Sequence, residues 1–353
     1  MALEDAQLTI NDIDTVVSGN MDLFEGHYLS DGIIVDACGS FLKPGLKMNT
    51  GGTTGGTVVA AGWQHVASGL FDTCLIVGWQ KQDAASSVAA LTTTRDEAYD
   101  RRFAAGASGL FASWGLRYMQ QSGCQEEHAA MCRVISGEGA SRNPHAHLRK
   151  QVTIEDVMNS RVIVWPLRLL HMSPTSCGAC ALIIANEEKT KQITNKPVWM
   201  ADNITVHRED SVWAGGCVEP IPAISSLEVA STKLYKRNGI TNPAKDIDVW
   251  EIYDPSSWGL MQFMEWHYIC EPGEAWKLVE KGETRSEGSI PICPSGGVVC
   301  TNPIGASGTI RVAEAALQVR GDSGQRQVTK EVNTAIATAW GGCNWDVMFL
   351  LKK

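Results

Sequence analysis

Residues 8–16 read Leu-Thr-Ile-Asn-Asp-Ile-Asp-Thr-Val, and residues 240–249 read Ile-Thr-Asn-Pro-Ala-Lys-Asp-Ile-Asp-Val. Each copy follows a short helical stretch and leads into an apolar strand, so one α/β unit stands twice in the chain. The helix ahead of the second copy is the clearer one. Ser226 is placed to cap it, Leu227, Ala230 and Leu234 share a face, and Gly239 stands where helices commonly end. Downstream, each copy has a glycine pair, Gly51-Gly52 and Gly296-Gly297, then a helix, then an apolar strand. These strands are Cys74-Leu75-Ile76-Val77-Gly78 in the first half and Val347-Met348-Phe349-Leu350-Leu351 in the last. Strands alternating with helices require crossover connections, so the pattern predicts a duplicated α/β fold with largely parallel sheets.

Composition agrees with a large core. Of 353 residues, 44% are hydrophobic and 20% charged, too apolar for disorder. The net charge is −9, from 30 Lys+Arg against 39 Asp+Glu, with the positives scattered, which argues against nucleic acid as a partner. No apolar run reaches the length of a membrane span, and Glu4 and Asp5 stand where an export signal needs bases, so a cytoplasmic protein is expected. Eleven cysteines include one close pair, Cys177 and Cys180, which runs into Ala181-Leu182-Ile183-Ile184-Ala185. That run reads as a buried strand whose alternate residues face opposite ways, so no metal site is expected, only buried thiols in a reducing compartment.

The halves are set at residues 1–188 and 197–353, with the polar stretch 189–198 as the hinge. Between strand and hinge lies an excursion over about residues 80–165, rich in charge (Arg95-Asp96-Glu97-Ala98-Tyr99-Asp100-Arg101-Arg102) and with a helical pattern over 111–121. A loop of that length without secondary structure is unusual in a compact fold, so a helical insertion covering a site is expected.

Two glycine-rich segments enter helices. Gly51-Gly52-Thr53-Thr54-Gly55-Gly56-Thr57 precedes Val58-Val59-Ala60-Ala61, and its backbone N–H groups could hold an oxyanion, though it lacks the lysine of a phosphate-binding loop. Residues 295–308, Ser-Gly-Gly-Val-Val-Cys-Thr-Asn-Pro-Ile-Gly-Ala-Ser-Gly, lead into a helix over 310–319 that ends near Gly321. At matching places of a duplicated fold, such turns converge on one site.

With these words in view, the chain resembles the thiolase superfamily, in the branch near the sterol carrier protein thiolases and the thiolase-like aldolases that act on CoA thioesters. The resemblance rests on Asn143-Pro144, Pro166-Leu167-Arg168-Leu169-Leu170, Ser176-Cys177-Gly178-Ala179, Gly273-Glu274-Ala275, Gln318-Val319-Arg320-Gly321 and, most specifically, Asn302-Pro303-Ile304-Gly305-Ala306-Ser307-Gly308. It implies a five-layered α/β/α/β/α fold of two similar halves, a helical loop domain over the CoA, and a homodimer. Family members also begin with a strand and helix ahead of residues 2–6, so the expectation is either a true start upstream or a lost first strand, which would expose a sheet edge, weaken the dimer and count against independent activity.

The departures from the family bear on the chemistry. Thiolases carry a nucleophilic cysteine in Asn-x-x-Cys-x-Ser-Gly. Here Asn49-Thr50-Gly51-Gly52-Thr53-Thr54-Gly55 places Gly52 at that position, so no thiol is there to acylate. Asn302 replaces the oxyanion-binding histidine of Gly-His-Pro and remains a hydrogen-bond donor. The second catalytic cysteine aligns with Ala339, and Cys343 is expected merely to pack. The third motif reads Tyr253-Asp254-Pro255-Ser256.

Loss of both cysteines with a tyrosine in the third motif resembles the steroid side-chain aldolases, although those carry a second tyrosine where Asn302 stands. Retro-aldol cleavage of a β-hydroxyacyl-CoA is therefore the first reading. Tyr253 would be the base or proton relay, and Asn302 with backbone N–H groups near Gly52 and Gly342 would bind the thioester oxygen. Arg142, His145 and Ser307 are candidate contacts to CoA, which enters as part of the substrate, with no permanently bound cofactor. His147, Arg101, Arg102 and Arg149 are weaker candidates. Trp250, Trp258, Trp266 and Trp276 surround the Tyr253 segment as core or as an acyl pocket. The alternatives are an acyltransferase with a displaced thiol and a non-catalytic subunit. A small partner carrying a zinc ribbon and an OB fold is expected by analogy with this branch.

Overall fold

Glycine at the ends of helices and apolar runs between them place most of the elements. The computed structural model describes residues 1–26, 30–94, 101, 106–207, 225–342 and 345–353. The expectations on residues 95–100, Arg102 and Cys343 lie outside these. The first half runs α1 (Ala2–Asp5), β1 (Thr15–Gly19), α2 (Asp31–Cys38), β2 (Gly45–Met48), α3 (Thr54–Ala67) and β3 (Thr73–Lys81). Next come α4 (Ser87–Thr92), α5 (Gly106–Ser122), α6 (Glu126–Arg142), α7 (Ile154–Met158) and a small hairpin of β4 (Val162–Val164) and β5 (Leu167–Arg168). The chain returns to the first sheet in β6 (Cys177–Ala185) and then forms α8 (Glu187–Ile193), so part of the expected hinge is helical.

The second half runs β7 (Trp199–His207), α9 (Ser226–Asn238), α10 (Pro243–Asp246), β8 (Val249–Glu251), α11 (Ser257–Trp266) and α12 (Ala275–Glu280). It closes with α13 (Gly297–Cys300), α14 (Ile304–Arg320), β9 (Thr334–Trp340) and β10 (Trp345–Lys352). The glycine pair 296–297 opens the four-residue α13. The structural counterpart of the Gly51-Gly52 turn is the turn at 301–304 that opens α14, a correction to the expected pairing. Gly239 and Gly321 end α9 and α14 with φ of +67° and +77°, a conformation in which a side chain is strained.

The strand orders are β2-β1-β3-β6 and β8-β9-β10-β7. In each sheet the strand after the Asp-Ile-Asp echo, β1 or β8, pairs in parallel with the strand that follows the central helix, β3 or β9. The last strand of each half, β6 or β10, runs antiparallel. The sheets are thus mixed rather than largely parallel, because these last strands turn back beside their predecessors. Helices α3 and α14 pack between the sheets, α9 covers the outer face of the second, and an apolar cluster from Leu3 to Ile183 covers the outer face of the first. The five layers of a thiolase-like α/β fold result.

The two antiparallel strands differ in burial for a topological reason. β10 lies between β7 and β9 with helices on both faces, and its Val347-Met348-Phe349-Leu350-Leu351 run is fully buried. β6 pairs with β3 alone among the described residues, and Cys177, Gly178, Ala179 and Ala181 are exposed. The expectation of a buried strand there is corrected to an edge strand: among the described residues no strand stands beside β6 as β7 stands beside β10.

At the start of α9 the cap is Ser225 rather than Ser226: the Ser225 hydroxyl accepts from Leu227 N–H, and Glu228 accepts from the Ser225 N–H. Ser226 instead donates to Asp346, which is buried and whose Oδ1 has no partner. Burial pushes the Asp346 carboxyl up to about 7, with the Ser226 bond pulling the other way. A carboxyl raised in the folded state binds its proton there while the unfolded chain has lost it, so stability falls as pH rises from about 4 through 7. Asp346→Asn keeps the shape and removes the charge. It is expected to raise stability at pH 8 by on the order of 1–3 kcal/mol and far less at pH 5, measured by urea titration.

Candidate active site

The N-terminal turns of α3 and α14 meet because no side chain separates the two helices. A Cβ on Gly55 would lie 2.8 Å from the N atoms of Gly308 and Thr309, and one on Gly308 would lie 2.4 Å from the Gly56 N. The Thr309 hydroxyl donates to the Gly55 carbonyl at 2.7 Å. The C-terminal end of β9 closes over the same point: a Cβ on Gly56 would fall 2.6 Å from the Ala339 Cβ. Ala339, aligned with the second cysteine of thiolases, is therefore buried where the two central helices cross.

Gly52 lies in the turn before α3. Gly51 has a φ of +64°, Thr53 Oγ1 donates to the Thr50 carbonyl at 2.7 Å, and Thr54 Oγ1 donates to the Gly51 carbonyl at 2.6 Å. Trp345 Nε1 donates to the Thr50 carbonyl at 2.9 Å, and the Gly341 N–H donates to the Trp345 carbonyl at 2.9 Å. Trp345 thus joins the two turns, its indole bonding the turn around Gly52 and its backbone carbonyl the N–H of Gly341. A Cβ at position 52 would stand 2.5 Å from the Trp340 carbonyl oxygen, well inside van der Waals contact. The space a nucleophile's side chain would leave by is filled with backbone.

Tyr253, Ser307 and Asn302 form a second group at the same end of β9. The Tyr253 N–H donates to Thr338 Oγ1 at 2.9 Å, which fixes the tyrosine to β9. Tyr253 is buried, 3% exposed. Ser307 Oγ donates to Asn302 Oδ1 at 2.9 Å. Asn302 Nδ2 donates to Ser173 Oγ at 2.9 Å, and the Asn302 N–H donates to Ser176 Oγ at 3.0 Å. Burial pushes the Tyr253 phenol well above its usual range, against smaller pulls from Ser307 and Arg311. At neutral pH it is a neutral phenol. Ser307, expected at the CoA, sits in the interior between the tyrosine and the asparagine.

Behind Tyr253 lies a buried ionic cluster that holds α14 to β8. Arg311 donates to Glu251 and, at 2.8 Å, to Ser295 Oγ, while Ser295 Oγ donates to Glu251 at 2.9 Å. Arg326 donates to Glu314 at 2.6 Å. Asp254 accepts from the Val298 N–H with Oδ1, whereas Oδ2 is buried without a partner. Burial pushes the Asp254 carboxyl up to about 7, and Arg311 pulls it back.

The remaining expected CoA contacts lie at or after the end of α6. Arg142 donates to Ser286 Oγ at 2.8 Å, and His145 is exposed in the turn formed by Asn143 Oδ1. His147 Nδ1 lies 2.9 Å from Ser176 Oγ, which links this turn to Asn302. Ser173, Ser176 and Asp254 were not among the expected site residues. Ser176 lies in one of the quoted family words and Asp254 adjoins Tyr253, but no spacing in the sequence announces that they meet. Of the tryptophans around Tyr253, Trp250 and Trp258 are buried core, and Trp266 and Trp276 are partly buried against it. Among the described residues no three His, Cys, Asp or Glu side chains gather as metal ligands, and no helix is long and apolar enough to cross a membrane.

A family model described as thiolase C-terminal domain-like matches residues 219–351. The acetyl-CoA acetyltransferase of Methanothermobacter thermautotrophicus is 32% identical over 336 residues, 93% of this chain and 85% of that protein. The acetyl-CoA acetyltransferase of Methanocaldococcus jannaschii is 33% identical over 354 residues, 98% of this chain and 90% of that protein. Among solved structures, the Ltp2-ChsH2(DUF35) aldolase shares the fold with a TM-score of 0.82 at 23% identity, over 99% of this chain and 90% of that one. Identity above 30% across nearly the whole length, on two such sheets around paired glycine helices, shows that this chain belongs to the thiolase superfamily.

Proposed function

We propose that this CoA-thioester enzyme cleaves or forms a carbon–carbon bond without becoming acylated at residue 52, and that its reaction is the retro-aldol cleavage of a β-hydroxyacyl-CoA. The observation that carries this reading is position 52, which has no side chain and whose Cβ direction points into the Trp340 carbonyl. Cleavage of the Cα–Cβ bond sends its electron pair into the thioester, as an enolate. Asn302 Nδ2 and the backbone N–H groups near Gly52 and Gly342 supply fixed donors to that oxygen.

Proton balance fits a neutral Tyr253. The β-hydroxyl loses one proton and the α-carbon gains one. A phenol that gives its own proton to the α-carbon while taking the hydroxyl's completes the transfer without a free phenolate. The acetyl-CoA acetyltransferases of Methanothermobacter and Methanocaldococcus, as relatives, favour a second reading, acyl transfer through a thiol elsewhere in the chain. Treatment with an acyl-CoA probe and peptide mass spectrometry would then find a labelled cysteine.

The Ltp2-ChsH2(DUF35) neighbour supports a heteromeric arrangement. We accordingly place a homodimer with a small zinc-ribbon and OB-fold partner in the proposal. Assays are run with and without such a partner, because absence of product in both arms would leave a thioester-binding subunit.

Tyr253→Phe is expected to lower formation of the aldehyde or ketone by about 10²–10⁴-fold while thioester affinity is kept. Full activity in that variant would remove the proton role. Gly52→Cys is expected to lower the melting temperature, since the Trp340 backbone must move. It should also show no acyl adduct by intact-mass spectrometry after incubation with acetyl-CoA.

A further inference from the structure

Trp345 opens β10, a strand whose side chains alternate between the two faces of its sheet. Val347 and Phe349 take the face that packs on α3: a Cβ on Gly56 would stand 3.3 Å from the Val347 Cβ and 3.6 Å from the Phe349 ring. Trp345, two residues ahead of Val347, shares that face and so overhangs the turn that opens α3. His207, its partner in the β7–β10 register, meets the indole edge-on with ring centroids 4.9 Å apart. The Gly341 backbone lies against the same indole: a Cβ there would stand 2.8 Å from Trp345 Cδ1 and 2.9 Å from Nε1.

The indole is partly buried, within reach of water, yet its N–H goes to protein. It is shared between the Thr50 carbonyl, at 2.9 Å, and the Thr53 hydroxyl. Packing does not supply such bonds by default, since the indole nitrogens of Trp79, Trp250, Trp258 and Trp276 are buried without a partner. Thr50 and Thr53 flank Gly52 and are themselves joined, with Thr53 Oγ1 donating to the Thr50 carbonyl at 2.7 Å. The Thr50 N–H donates to Thr54 Oγ1 at 2.9 Å, so residues 50–54 form one hydrogen-bonded unit. At its backbone Trp345 accepts from the Gly341 N–H at 2.9 Å. The spacing between the turn around Gly52 and the turn at 341–342 is therefore carried by this one residue's contacts to both.

We propose that Trp345 is a positioning residue of the candidate active site, which sets the backbone N–H groups near Gly52 and Gly342 at the separation where both reach one enolate oxygen. This rests on the CoA-thioester reading above. Trp345 acts through the two turns and does not itself touch the substrate. A negatively charged oxygen gains far more from well-placed donors than a neutral thioester oxygen does, so loss of the spacing is felt by the anion first.

The test is calorimetric titration of the full chain, of Trp345→Phe and of Thr53→Val with two ligands. One is acetyl-CoA. The other is carboxymethyl-dethia-CoA, whose carboxylate stands in place of the thioester and carries the charge an enolate oxygen would. The parent is expected to bind the carboxylate ligand about 10-fold or more tighter than acetyl-CoA. Each variant is expected to lower that preference by about 3–10-fold, the value of one hydrogen bond, while its affinity for acetyl-CoA is kept. Retained acetyl-CoA binding also shows that the variant is folded, and Thr53→Val probes the same bond from the side of the turn. An unchanged preference in both variants would overturn the proposal. So would equal weakening of both ligands, which would make Trp345 a structural support alone. A parent that binds acetyl-CoA without preferring the carboxylate lacks the enolate donors, and one that binds neither ligand is no CoA-thioester enzyme. In those two cases the functional reading falls and takes this proposal with it.

Discussion

The closeness of α3 to α14 governs this molecule. Gly55, Gly56 and Gly308 let the two backbones touch, and Thr309 closes the contact with a hydrogen bond to the Gly55 carbonyl. Any side chain at the crossing would push the sheets apart, and with them the two turns that open these helices. Each helix is the central element of one copy of the duplicated unit. The duplication places a turn at each helix start, the one around Gly51-Gly52 before α3 and the one at 301–304 before α14, and the crossing makes those turns neighbours. The candidate site is therefore a consequence of how the two copies pack, and neither half holds it alone.

The same closeness limits the chemistry. β9 ends over the crossing, its Ala339 set against Gly56 and its Trp340 carbonyl against Gly52. A side chain at 52 would need the Trp340 backbone to retreat. What stays fixed is a set of hydrogen-bonding groups. Tyr253 is tied to Thr338, Ser307 to Asn302, and Asn302 to Ser173 and Ser176. The buried pair of Arg311 and Glu251 anchors α14 from behind, and removing either partner would strand a charge in the interior. Such preorganised donors suit a reaction in which charge gathers on one oxygen and no covalent intermediate has to be accommodated.

Much of the frame was legible because it depends on local signals. The Asp-Ile-Asp echo marks β1 and β8, Gly239 and Gly321 end their helices, and the run at 347–351 is apolar throughout because β10 is covered on both faces. Local signals fail where a long-range partner decides. Ser225 and Ser226 can both cap a helix, and only the burial of Asp346 beside Ser226 separates their roles. The residues 181–185 read as a core strand, but what lies beside β6 is a matter of topology. Tyr253, Asn302 and Gly52 could be picked out by comparison with a family motif, while Ser173 lies in none of those words and Ser176 lies in one that says nothing of its partner Asn302. Their positions follow from the return of the insertion across the second half.

Burial of Tyr253 bears on mechanism more than its identity does. A tyrosine in this motif invites the role of base, yet enclosure by apolar neighbours favours the neutral phenol. Arg311 is already engaged by Glu251, so its charge is compensated before it can favour a phenolate. A group that must be protonated both before and after the reaction is suited to exchanging protons within one complex. Retro-aldol cleavage asks for this, because the proton lost from oxygen and the proton gained by carbon belong to the same substrate.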